Sequence, residues 1–242
     1  MNPLIRLALG LVLLVVVAAG CSRTAGPLGG PEPGDKSPVV EEGKKSLFAK
    51  NIFFETKGDR RYVLISAAVA YQPGQFCEYF LCRKDTKEYE SVLVADVEPL
   101  RVHEALLAAR AKSGSPVQYE PKFRPPQGDK IKVTLQWEDN GRRKSVPAQS
   151  WLRDRKTRQE MACDWVFAGS IFEPNPLDTK GAPTYLANLD GIVMTLANFQ
   201  TAVLDVSILS AAQRELQEFE AFDEHIPPVG TKVSVILEPV GK

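Results

Sequence analysis

The chain has 242 residues, with 30 Lys and Arg against 30 Asp and Glu and 44% hydrophobic residues. A formal charge of zero argues against a nucleic-acid binder, whose affinity requires clustered excess cations. The length is enough for one large folded domain or two small ones.

Residues 1–20 read as a secretion signal. A short start carries one cation, Arg6, and Leu7–Ala19 follows without charge. Such a segment spans roughly 21 Å as a helix, short of the 30 Å of a bilayer core, so it is read as a cleaved leader. It ends in Ala18-Ala19-Gly20-Cys21, which resembles the lipobox of bacterial lipoproteins, with Ala18 where leucine is commoner. The resemblance implies lipidation of Cys21; the alternative is an ordinary cleaved signal with an incidental cysteine. Two or more acyl chains, at about 0.8 kcal/mol per buried methylene, make a lasting anchor. Ser22 after the cysteine implies sorting to the outer membrane rather than the inner.

Ser22–Ser46 contains five Gly and four Pro in 25 residues. It cannot bury enough surface to offset its ordering entropy and is expected to be a tether with a reach of roughly 25–30 Å. The expected organisation is therefore a leader over 1–20, a lipidated Cys and linker over 21–46, and one domain over 47–242.

Within that domain, Tyr62–Tyr71 and Gln75–Cys82 are apolar on both faces and read as central strands joined by a Gln72-Pro73-Gly74 turn. Val92–Ala95 is a further strand. Pro99–Lys112 places Val102, Ala105, Leu106 and Ala109 at i, i+3, i+4 and i+7, a helix ended by Ser113-Gly114. In Lys130–Trp137, Ile131, Val133, Leu135 and Trp137 alternate with polar residues, a strand with one wet face. Asp139-Asn140-Gly141 supplies the turn and Arg142–Val146 returns. Pro147 opens a helical turn that buries Trp151 and Leu152. Ala211–Phe222, with Leu216, Phe219 and Phe222 on one side, reads as a second helix. Thr231–Glu238 is the last strand, closed by Pro239. The expected class is α+β: a mainly antiparallel β-sheet with two or three short helices and no repeats.

Signatures of common chemistries are missing: the sequence has no GxGxxG, Walker, GxSxG, HExxH or CxxC motif. Two histidines, His103 and His225, with scattered cysteines fall short of a zinc or non-haem iron set, so neither metal nor cofactor is expected. With Cys21 lipidated, Cys77, Cys82 and Cys163 remain, one thiol short of a four-iron cluster. Cys77 and Cys82 would lie about 16 Å apart on an extended strand, too far to bridge unless it turns, whereas a bond from Cys163 to either is left open. Burial as small hydrophobes is the other reading, and an exposed Cys82 near a cation would be needed for a thiol role.

The polar run Lys84–Ser91 lies between two apolar strands and invites a functional reading. On an extended chain Glu88 and Glu90 share one face, about 6–7 Å apart, and Lys87 and His103 could close a polar pocket around them. Solvated hairpin charges and a packing histidine are the plain alternatives.

With these segments in view, Phe76–Pro239 resembles the YdjY family of exported bacterial proteins. The resemblance rests on Glu78-Tyr79-Phe80-Leu81-Cys82, Thr86-Lys87-Glu88-Tyr89-Glu90-Ser91 and His103-Glu104-Ala105-Leu106-Leu107. It continues in Pro126-Gln127-Gly128-Asp129-Lys130, Trp165-Val166-Phe167-Ala168-Gly169-Ser170, Asn198-Phe199 and Ile226-Pro227-Pro228-Val229-Gly230-Thr231. The family typically has Lys-Glu-His-Glu-Ser where this chain carries Tyr89, which removes an imidazole from that place. The resemblance implies no particular reaction, and the cysteine count argues against a ferredoxin-like role. Two functions are thus expected: a binding or structural module tethered in the cell envelope, with an envelope protein or glycan as partner, or an envelope enzyme using Lys87, Glu88, Glu90 and His103.

Overall fold

The computed structural model describes residues 44–174 and 181–240. The leader, Cys21 and the tether up to residue 43 lie outside the described residues. The first strand starts at Lys44, inside the segment expected to be linker.

Eleven strands form one sheet. They are β1 (Lys44–Ala49), β2 (Ile52–Lys57), β3 (Arg60–Val69), β4 (Tyr79–Arg83), β5 (Ser91–Ala95) and β6 (Lys130–Asp139). The remainder are β7 (Arg142–Pro147), β8 (Trp165–Phe167), β9 (Ile192–Thr195), β10 (Leu204–Val206) and β11 (Lys232–Val240). Eight of them pair in the order β3-β11-β6-β8-β10-β9-β4-β5, and β5 pairs back to β3, so the sheet closes into a barrel. β1 and β2 extend outward from β3, and β7 extends from β6. Pairing around the ring is antiparallel except at β4/β5 and β9/β10.

The expected α+β class is therefore corrected to mainly β. Among the described residues the α-helices are α1 (Pro99–Ala108) and α2 (Leu186–Asp190), too little to form a helical layer. The helix expected over Ala211–Phe222 is absent. Phe219–Ala221 instead pairs with Leu152–Asp154 as a short antiparallel ladder. Phe219 and Ala221 are buried while Glu220 between them faces Arg153 and Arg158. A period of two set by burial and ion pairing thus overrides a weak helical stripe.

Other elements are as the patterns suggested. β6 buries Ile131, Val133 and Leu135 in one core and turns at Asn140-Gly141, both with positive φ, into β7. The turn after Pro147 buries Trp151 and Leu152, with Trp137 edge-on to Trp151 at 5.3 Å. α1 buries Val102, Ala105 and Leu106 but stops at Ala108, because Arg110 adopts φ 70° and the Ala111 N–H returns to the Leu106 carbonyl.

Two expectations about strands need revision. The segments before and after Gln72-Pro73-Gly74 are not partners: β3 pairs with β5, and β4 lies between β9 and β5. β4 is apolar on both faces because Phe80 and Leu81 join the main core while Tyr79 packs outside it on Phe199, Ile192 and Ala202. Pro239 lies within β11 rather than closing it. Pairing to β3 has ended at Leu237, so a residue without an N–H is tolerated on that side.

Candidate functional site

The edge of β3 is shared by two strands. It pairs with β2 as far as Ile65, the Ser66 N–H reaches the Asn51 carbonyl at 2.9 Å, and from Ala68 onward the partner is β5. Two strands leaving one edge must diverge, and the divergence opens a groove. The β1–β2 turn forms one wall, and its Asn51 amide donates to the Asp96 carbonyl at 3.0 Å, tying that wall to the chain leading into α1. Lys84 and Asp85, just after β4, form the other wall. The groove consists of two depressions of about 510 and 530 Å³ that share Lys84 and Asp96.

The first depression is lined by four cations, Lys50, Arg83, Lys84 and Arg101, and by the carboxylates of Asp85, Asp96 and Glu98. Lys50 pairs with Asp96 at 2.6 Å and holds its carboxyl below the usual range. Arg101 pairs with Glu104 at 2.7 Å. The described ion pairs leave Arg83 and Lys84 without an acidic partner, and the Arg83 Nε is buried with no hydrogen-bond partner. The start of α1 offers a ligand little, because Pro99 has no N–H and that of Leu100 is taken by Asn188 Oδ1 at 2.9 Å. The second depression adds Glu88, Lys232 and the β3 residues Ser66–Ala68.

The polar run singled out in the sequence therefore reaches this groove through Lys84, Asp85 and Glu88. Its inner arrangement differs from the extended one expected. Glu88–Glu90 is a short 3-10 turn, so Glu88 and Glu90 are not successive residues of one strand face. The Glu88 carboxylate accepts the N–H groups of Asp85 and Thr86, the latter at 2.9 Å, and thereby fixes the turn. Glu90 stands near Glu78, whose carboxyl is raised by burial and by the Glu90 charge. The Lys87 carbonyl accepts Ser91 Oγ at 2.8 Å, and Tyr89 is 63% exposed. Replacing Glu88 with Ala is expected to cost about 1 kcal/mol, the usual worth of a capping side chain, in urea-unfolding experiments.

His103 is held elsewhere. The Tyr185 hydroxyl donates to the Gly169 carbonyl at 3.0 Å and so accepts from His103 Nδ1 at 2.9 Å, which places the proton on Nδ1. Phe167 and Phe172 stand edge-on to the ring, and burial lowers its pKa, which favours the neutral imidazole. The structure does not gather Lys87, Glu88, Glu90 and His103 into one site. His225 stacks on Phe222 at 3.8 Å.

The three described cysteines are free. Cys77 is pushed up to about 12 and Cys82 is also raised, both chiefly by burial, and Cys82 is fully buried. The thiol reading required exposure and is dropped. Among the described residues no group of three or more His, Cys, Asp or Glu is placed to hold a metal ion. Sequence reasoning passed over Asn51, Arg83, Asp96 and Lys232, because nothing local marks residues that only a shared strand edge brings together. The one available signal was Arg83, a cation ending the apolar run of β4.

No curated protein and no solved structure matches this chain. The YdjY domain does, from residue 55 to residue 238. That span runs from β3 into β11, nearly the whole barrel and most of the groove, and the chain belongs to the YdjY family.

Proposed function

We propose that this protein is a lipid-anchored lipoprotein of the cell envelope whose barrel is a binding module, with the forked groove as its ligand site. The lipobox-like Ala18-Ala19-Gly20-Cys21 and the Pro/Gly-rich stretch after it support an anchor and a tether facing the periplasm or the cell surface. Among the described residues no helix is long and apolar enough to cross a membrane. The observation that carries the binding role is the groove itself, lined by Arg83 and Lys84, cations without an acidic partner among the described ion pairs. Binding is favoured over catalysis because Glu88 is committed to backbone N–H groups and Asp96 to Lys50, while Asp85 and Glu98 have no histidine or cysteine beside them among the described residues lining either depression.

Two experiments test the two halves. Ser66 is exposed on β3 and lines the groove, so Ser66→Trp fills it without disturbing the core. Envelope components retained by the immobilised full chain are expected to be lost from Ser66→Trp; equal retention overturns the groove as the site. For the anchor, the wild-type chain should partition into the membrane fraction and Cys21→Ala into the soluble one. Identical partitioning of both sinks the lipid anchor.

A further inference from the structure

We infer that the groove recognises an oxyanion, a carboxylate or a phosphate group of its ligand, between Arg83 and Lys84; this rests on the groove being the binding site. Arg83 and Lys84 both line the groove, and the described ion pairs give neither an acidic partner, so two adjacent positive charges there lack a counter-charge. A guanidinium presents parallel N–H donors that match two oxygens of one oxyanion, and Lys84 adds a point charge beside it. The neighbouring cations are less available, since Lys50 is paired with Asp96 and Arg101 with Glu104. Lys84 also lines the second depression, where Lys232 is a further cation, so a longer ligand with its anionic group at Arg83 can continue past Lys84. Asp85 and Glu98 at the same mouth disfavour an unselective pool of anions and suit a ligand that also carries donors.

The test titrates the full chain with inorganic phosphate, and separately with acetate, against chloride at constant ionic strength, following the backbone amide resonances of Lys84 and Asp96. Saturable shifts with either oxyanion and none with chloride are expected. Tighter binding of phosphate assigns a phosphoryl group, and binding of acetate at least as tight assigns a carboxylate. Removing a charge-assisted contact in Arg83→Gln should weaken binding by about tenfold or more. The exposed Lys84→Gln, which carries little folding risk, should weaken it by roughly three- to tenfold. Arg143→Gln, on the β6–β7 hairpin, should leave it unchanged. Shifts equal to those in chloride, or unaffected by both groove variants, overturn the oxyanion site. If envelope components are still lost from Ser66→Trp in that case, the groove stands as a binding site and only the oxyanion is wrong.

Discussion

Asp205→Ala is expected to lower the unfolding free energy by about 3–5 kcal/mol, the range reserved for breaking a buried polar network. Asp205 is fully buried on β10. One carboxylate oxygen accepts from Thr195 Oγ1 at 2.6 Å, Asn198 Nδ2 at 3.2 Å and its neighbour's N–H at Val206 at 2.8 Å; the other accepts the Phe199 N–H at 3.3 Å. Asn198 in turn accepts the Ser210 N–H at 2.8 Å and donates to the Val206 carbonyl at 3.0 Å. The network has a structural task. β9 and β10 are parallel, yet only residues 196–203 connect them, whereas parallel neighbours ordinarily need a crossover of a dozen residues or more. A connection this short leaves loop N–H groups facing the interior, and the Asp205 carboxylate takes them up. Alanine leaves those donors buried and unpaired and adds a cavity.

Asp205 also carries a pH signature. Burial raises its carboxyl to about 7 from 3.8, outweighing the four hydrogen bonds that favour the charged form. Between those values the unfolded chain has released a proton that the folded chain still holds. The contribution is therefore complete below about pH 4, is lost as pH rises towards 7, and is level above it. Urea-unfolding free energies measured from pH 4 to pH 8 should fall across that window and flatten in Asp205→Asn. Asparagine keeps one acceptor oxygen but turns an NH2 towards the Phe199 N–H, so its cost should be smaller, about 1–3 kcal/mol. A loss below 1 kcal/mol in Asp205→Ala would falsify the structural role of the network.

Gly128→Ala is the second large effect, expected to cost about 2–6 kcal/mol as the sum of backbone strain and overpacking. Gly128 has φ 149°, and a Cβ there would lie 2.1 Å from the carbonyl oxygen of Phe167 in β8. That obstacle is backbone, so no rotamer change relieves it. The residue sits where the chain enters β6, with the next residue's carbonyl accepting the Phe167 N–H at 2.9 Å, so displacement would disturb the β6–β8 seam of the ring. Gly141→Ala is the matched comparison. Its φ of 74° is also positive, but nothing lies within 4 Å of the added carbon, so only about 1 kcal/mol of turn strain is expected. Thermal melts of the two variants should differ widely; similar midpoints would mean that the close approach at Gly128 is relieved cheaply.

Where burial follows a clean local period, sequence and structure coincide. Ile131, Val133 and Leu135 alternate because one face of β6 looks into the barrel, and Asn140-Gly141 turns because both residues accept positive φ. The first helix was legible from Val102, Ala105 and Leu106, although its end was not, since Arg110 is an unusual residue to adopt the left-handed conformation. Ala211–Phe222 misled because Phe219 and Phe222 fit a helical stripe, and only the partner strand Leu152–Asp154 and the arginines around Glu220 made the extended form better. Of the expected site, Glu88 reached the groove but as a turn-fixing carboxylate, and His103 went to an aromatic cage with Tyr185.

By itself the sequence determined the family, the two-residue period of the long strands, the absence of familiar catalytic motifs, and the lipobox-like Cys21 on which the proposed anchor rests. These are local properties, set by neighbouring side chains and by the solvent each must face or avoid. Only the tertiary structure decided that the strands close on themselves, with β5 returning to β3, and so turned an expected α+β sheet into a barrel. The same closure placed Asn51, Arg83, Asp96 and Lys232 around one fork, because which strand pairs with which edge depends on contacts between residues far apart in the chain.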